Sequence, residues 1–123
     1  MKHILAILML TLSIGAIAQA PQFKSGSTVY IEPMDGYEFY LAAAMMKKHV
    51  PLVAVADQTK ADFYITSTKR TADDSTSASI SVIDAHSSQI IFAYSVGNSR
   101  STTYQVQRTA EACAKHLKEF IEK

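Results

Sequence analysis

The stretch TVYIEPMDGYEFYLAAAMMKKHVPLVAVADQTKADFYITS, Thr28 to Ser67, decides the fold. Thr28 to Glu32 alternates β-branched and aromatic residues, with Val29 and Ile31 on one face and Tyr30 on the other. That is the period of a strand, and Pro33 stops it. Asp35 then opens a helix, with Asp35 and Glu38 in capping-box spacing. The helix runs to about Lys48. Leu41, Ala42, Met45 and Met46 form its apolar stripe, and Lys47, Lys48 and His49 place positive charge at its end. Pro51 prevents continuation. Leu52 to Ala56 is continuously apolar, which predicts a strand buried on both faces. A crossover of this length predicts that the two strands are parallel, with a right-handed connection. After a polar turn at Asp57 to Lys60, Ala61 to Ser67 reads as a third strand, with Phe63 and Ile65 opposite Asp62, Tyr64 and Thr66.

Towards the C-terminus, Thr68 to Thr76 is polar and without hydrophobic period, so it reads as a loop. Ser77 to Asp84 alternates Ala78, Ile80 and Val82 against Ser79, Ser81 and Ile83. Gln89 to Gly97 follows with Ile90, Phe92, Tyr94 and Val96 in phase. The short link Ala85 to Ser88 makes these two strands an antiparallel hairpin. A last helix starts near Thr102 or Thr103. Val106, Ala110, Cys113, Leu117 and Phe120 repeat along it at four- and three-residue intervals. Its other side carries Arg108, Glu111, Lys115, Lys118 and Glu122, with Glu111 and Lys115 spaced as an i,i+4 pair. The predicted class is α+β: one mixed five-stranded sheet, element order β-α-β-β-β-β-α, both helices on one face. The apolar stripe of the last helix, Leu117 and Phe120 included, faces the core.

Towards the N-terminus, Lys2 and His3 precede the apolar run Ile4 to Ile17, and small residues follow at Ala16, Ala18 and Ala20. This reads as a secretory signal peptide. The run is short for a membrane span. Cleavage after Ala18 is preferred to cleavage after Ala20, which would leave Pro21 first. The expected organisation is a signal peptide at 1–18, a polar leader at 19–27, and a single domain at 28–122, in a periplasmic or secreted protein without a membrane anchor once cleaved.

Removing Lys2 leaves eleven basic residues against eleven acidic, so the balance offers no footprint for nucleic acid. The pairs Lys47–Lys48 and Lys69–Arg70 read as solvated surface. The single cysteine, Cys113, cannot build an intramolecular disulfide framework. Its place on the helix stripe predicts burial. Cys113 and His116 stand three apart as a conceivable metal pair, without a second pair to complete a site. His86 beside Asp84 is a conceivable proton shuttle, and Asp73–Asp74 falls in the loop. There is no nucleophile elbow, dinucleotide fingerprint or phosphate loop. The expectation is a non-enzyme with no catalytic residue, cofactor or metal. The alternative is a small secreted hydrolase or ligand-binding protein whose site the sequence does not reveal.

Tyrosine offers the most. Tyr30 and Tyr64 fall opposite the core residues of their strands and project from the helix-free sheet face, near Ser79 and Ser81. Tyrosine suits interfaces because it joins apolar area to a polar tip. Tyr30, Tyr64, Ser79 and Ser81 are therefore the candidate partner-binding face. With the elements in this order, Thr28 to Ser67 resembles the opening of small bacterial envelope domains. These are of the Tol-Pal translocation protein amino-terminal, curli-secretion and penicillin-binding-protein-activator type. Ala61-Asp62-Phe63-Tyr64-Ile65 corresponds to their "AD-aromatic-x-hydrophobic" strand. The segment SISVIDAHSSQIIFAYSV resembles their hairpin, where Asp84-Ala85-His86-Ser87-Ser88 stands in place of an Asp-x-x-Thr-Gly turn. The resemblance implies a binding or assembly module, with another envelope protein as its partner.

Overall fold

The computed structural model describes residues 22–72, 75–98 and 103–123. The signal-peptide reading and Asp73–Asp74 lie outside them. The elements are β1 (Thr28–Ile31), α1 (Tyr37–Lys47), β2 (Val53–Ala54), a 3-10 turn (Gln58–Lys60), β3 (Phe63–Ala72), β4 (Ser75–Asp84), β5 (Ile90–Asn98) and α2 (Thr103–Ile121). They form one mixed sheet in the spatial order β2-β1-β3-β4-β5. β1 pairs in parallel with β2 and with β3, and β3-β4-β5 is an antiparallel meander. The α+β class, the order of elements and the parallel first pair are as the sequence predicts.

The core lies between one sheet face and the two helices. Val29, Phe63, Ile65, Ala78, Ile80 and Val82 alternate onto that face and are buried. They meet Tyr37, Leu41, Ala44 and Met45 from α1, and Ala110, Cys113, Ala114 and Leu117 from α2. Tyr37 is fully buried, and its hydroxyl lies 3.2 Å from Thr109 Oγ1. Thr109 donates its own proton to the Val106 carbonyl at 2.7 Å. Tyr37 is therefore the donor to Thr109, since a hydroxyl carries one proton. Phe23, ahead of β1, packs edge-on against Phe63 with centroids 4.9 Å apart.

Several expectations need correction. Leu52 to Ala56 is no central strand: β2 is short, stands at the sheet edge, and leaves Val53 and Ala54 exposed. The segment is apolar, but β1 already has β3 on its other side, so β2 gains a neighbour only once. Residues 68–72 and 75–76 are strand, in a ladder running to Ala72–Ser75. The polar, threonine-containing stretch has no apolar period because Thr68, Lys69 and Arg70 stand exposed where the arm outruns β1, and the buried inward position at its other strand is the polar Thr76. In α1 the buried stripe is Tyr37, Leu41, Ala44 and Met45, while Met46 is exposed. Gly36, with φ 90°, takes the N-cap place without a side-chain cap, and Asp35 precedes it with φ 49°. Glu38 still reaches back, accepting the Met34 N–H at 2.7 Å, which holds its carboxyl below the ordinary range. His49 (φ 55°) ends α1. The His49 N–H bonds to the Met46 carbonyl and the Val50 N–H to the Met45 carbonyl, as in a Schellman cap. Glu111 pairs with Lys47 on α1 at 2.6 Å, a tie between helices in place of the expected pair with Lys115. Phe120 lies at the rim of the core, packed between Phe92 and Phe23 and partly exposed. Ile90 leaves the inward phase because the β4–β5 register shifts at Val82/Ile83.

Candidate functional site

On the helix-free face the parallel β1–β3 register sets Tyr30 directly beside Tyr64. The rings meet edge to face, centroids 6.3 Å apart and planes at 83°, a favoured aromatic geometry. Both are half-buried. Hydroxyls continue the surface along the hairpin. Thr66 stands opposite Ser81 and Thr68 opposite Ser79, and the Thr68 and Ser79 side-chain oxygens lie 2.6 Å apart. Ile83 stands opposite Tyr64. Strand register thus brings Tyr30 and Tyr64 into contact, and places Ser81 and then Ser79 progressively farther along the same face. The other tyrosines divide. Tyr37 is in the core, Tyr40 borders the groove between α1 and α2 with Gln107 and Glu111, and Tyr94 faces the helices, where it stacks on His116 at 4.1 Å.

The sequence does not reveal what lies beside Tyr30. A groove of about 360 Å³ opens at the ends of β1 and β2, lined by Tyr30, Ile31, Phe39, Ala42 and Val55. Phe39 is exposed. Its signal was present as an aromatic outside the helix's inward stripe, which ordinary surface residues also show.

The candidate chemistry does not assemble. The buried Asp84 carboxylate is occupied by the turn that follows it, accepting the backbone N–H groups of His86 at 2.8 Å and Ser87 at 3.1 Å. The His86 ring turns to Asp62 instead, with Nε2 3.6 Å from Oδ1. Cys113 points into the core, where burial pushes its thiol up to about 11. His116 points outwards onto Tyr94, with Nδ1 3.5 Å from Glu119. Spacing alone would have paired Cys113 with His116; packing separates them, the thiol sealed in the core and the imidazole held at its edge by Tyr94. Among the described residues, no three His, Cys, Asp or Glu side chains converge as metal ligands would, and no helix is long and apolar enough to cross a membrane.

No protein-family model and no curated protein sequence matches the chain. The fold does have relatives among solved structures. PelC from Paraburkholderia phytofirmans, described as a dodecamer, is 13% identical with a TM-score of 0.59, over 80% of this chain and 93% of that one. TolB from Acinetobacter baumannii is 10% identical with a TM-score of 0.55, over 81% of this chain but only 29% of that one. The lipoprotein GNA1162 from Neisseria meningitidis is 9% identical with a TM-score of 0.50, over 74% of this chain and 96% of that one. The chain has the fold of small bacterial envelope domains. The resemblance expected from Thr28 to Ser67 holds at that level, and fold by itself does not carry activity.

Proposed function

We propose that this protein is an exported, non-catalytic module of the bacterial envelope that binds another envelope protein through its helix-free sheet face. One observation carries the reading: Tyr30 and Tyr64 stand in contact on a sheet face that the helices leave uncovered. Paired tyrosines offer apolar area at low entropic cost, and the hydroxyls of Ser79 and Ser81 supply adaptable hydrogen bonding beside them. The envelope-type fold of its neighbours supports the setting, and the amino-terminal signal pattern supports export.

Photo-crosslinking in the native envelope tests this. A crosslinker at Ser81 should capture a defined protein that one at Lys115, on the exposed side of α2, does not. Tyr30→Ala with Tyr64→Ala should reduce that capture at least tenfold. Equal capture from both positions, or capture indifferent to the double substitution, would refute the reading.

A further inference from the structure

We propose that copies of this chain associate head to tail, the β2 edge of one molecule meeting the β5 edge of the next, so that the sheet continues from copy to copy. Among the described residues β2 and β5 each have a strand neighbour on one side only. Natural sheets protect such edges with charge, especially lysine. β2 and β5 lack this protection. Residues 50–56 and 87–98 contain no Asp, Glu, Lys or Arg, whereas the outer half of β3, which has β4 alone beside it beyond Ile65, carries Lys69 and Arg70.

Exposed apolar residues gather at the same two places. On the β2 side, Phe39 is 73% exposed, Met46 79% and Val53 50%; on the β5 side, Ile90 is 65% exposed and Phe120 36%. Met46 borders a groove with Leu52 and Ala54, and Phe39 borders one with Ala54 and Val55. Phe120 packs on Phe92 of β5. Of the six large apolar side chains exposed among the described residues, only Tyr40 lies away from these ends. Scattered exposed hydrophobics are ordinary, but their concentration at two unpaired edges is not.

Topology fits one mode of association. β2, β1 and β3 run parallel, and two antiparallel steps return β5 to the same direction. A neighbouring copy displaced along the sheet therefore offers its β5 parallel to β2, with its helices on the same side. The backbone is available for it. The Val53 and Val55 N–H groups bond to the carbonyls of Ser27, just before β1, and Val29, within it, so strand alternation turns the Ala54 N–H and carbonyl outwards. A two-fold β2–β2 contact would leave Ile90 and Phe120 exposed, and a β5–β5 contact would leave Phe39, Met46 and Val53 exposed. Only a head-to-tail contact covers both ends, as in a ring or an open chain. The near-balanced charge, +1 for the whole sequence and zero without Lys2, offers little repulsion between copies. Tyr30 and Tyr64 stay open on the interior strands β1 and β3 in such an array, whereas Ile90 continues their row across the sheet through Ile83, so Met46→Lys and Tyr64→Ala are the variants that let this proposal and the partner reading fail separately.

Sedimentation velocity of the exported protein over a concentration series tests it. Ala54→Pro removes the outward donor at β2 without touching the bonds to β1, and Met46→Lys charges the same end as a second, independent variant. Ile90→Lys charges the β5 end. Wild type should form species larger than a dimer, and each variant alone should be monomeric with an unchanged circular dichroism spectrum. Equal mixtures of a β2-end variant with Ile90→Lys should form a dimer that grows no further, because each pair retains one intact contact. Tyr64→Ala should assemble like wild type. A monomeric wild type at its highest soluble concentration overturns the proposal. So does a two-fold dimer that one end's variants dissolve and the other's leave intact.

Discussion

Ile65 and Val53 are both β-branched strand residues, yet Ile65 is fully buried and Val53 half exposed. The difference is position in the sheet. Ile65 sits on β3, flanked by β1 and β4 and roofed by the helices, while Val53 sits on β2 with β1 alone beside it. The same holds across the molecule. The middle of the helix-covered face is sealed by Tyr37, Leu41 and Leu117, and the two ends of the sheet leave comparable residues in water. Apolar sequence states a demand for cover without saying whether the chain's own fold supplies it.

The sharpest way to break this contrast is to truncate one residue from each region. Leu117 is fully buried among α1, α2 and the sheet, so Leu117→Ala should cost about 2–5 kcal/mol. At roughly 4–8 °C per kcal/mol for a domain of this size, the Tm should fall by about 10 °C or more. Val53→Ala should change the monomer's stability by no more than about 0.5 kcal/mol. Equal losses from the two substitutions, read by urea unfolding, would mean that the sheet end is covered in the free molecule.

A smaller effect reports on the core alone. Burial pushes the Cys113 thiol up to about 11 and raises the Tyr37 hydroxyl as well. Cys113 and Tyr37 adjoin each other between α1 and α2, with Thr109 accepting from Tyr37. Each group is neutral below its unfolded-state value and loses its proton more readily when unfolded. Their contribution is therefore fully present below about pH 9, and the thiol's share is lost as pH rises to about 11, on the order of 2 kcal/mol. Thermal melts should show a decline over that window that is shallower in Cys113→Ala. The thiol should also resist alkylation at neutral pH until the protein unfolds. Rapid labelling of folded protein would place Cys113 outside the sealed region.

What could be read from the chain follows from the same contrast. Periodicity located Val29, Phe63, Ile65, Ile80, Val82 and Leu117 correctly, because alternation along a strand or a stripe on a helix directly encodes one covered side. It also set Tyr30 and Tyr64 on a shared face; their edge-to-face contact needed the β1–β3 register, which no local pattern contains. The placement of Leu52 to Ala56 failed because an apolar run looks alike at the centre of a sheet and at an end awaiting cover. The arm at 68–76 was missed for the opposite reason: its residues are exposed at 68–70 and polar even where buried, as at Thr76, so no apolar phase marks the strand. The apparent Cys113–His116 and Asp84–His86 pairs dissolved because spacing ignores which side chain the core seals and which a neighbouring ring claims, and ignores the demand of turn N–H groups for an acceptor.

The smallest expected effect lies in that last turn, at the base of β5. The Asp84 carboxylate accepts the His86 and Ser87 N–H groups, the Ser88 N–H bonds to the Asp84 carbonyl, and Asp84 N–H bonds to Gln89. This closed turn requires Ser88 to take φ 60°, the left-handed region that costs an L-residue roughly 1–2 kcal/mol. It is the position where the resembling envelope domains commonly carry glycine. Ser88→Gly relieves the strain but adds freedom to the unfolded chain, worth roughly 0.5–1 kcal/mol. The net gain should be about 0.5 kcal/mol, with a Tm raised by a few degrees. Ser88→Ala, unable to relieve the strain, should give none. The gain should be independent of assembly, since the turn's bonds lie within one molecule. An increase that appears only at high protein concentration would tie the turn to the β5 end contact instead.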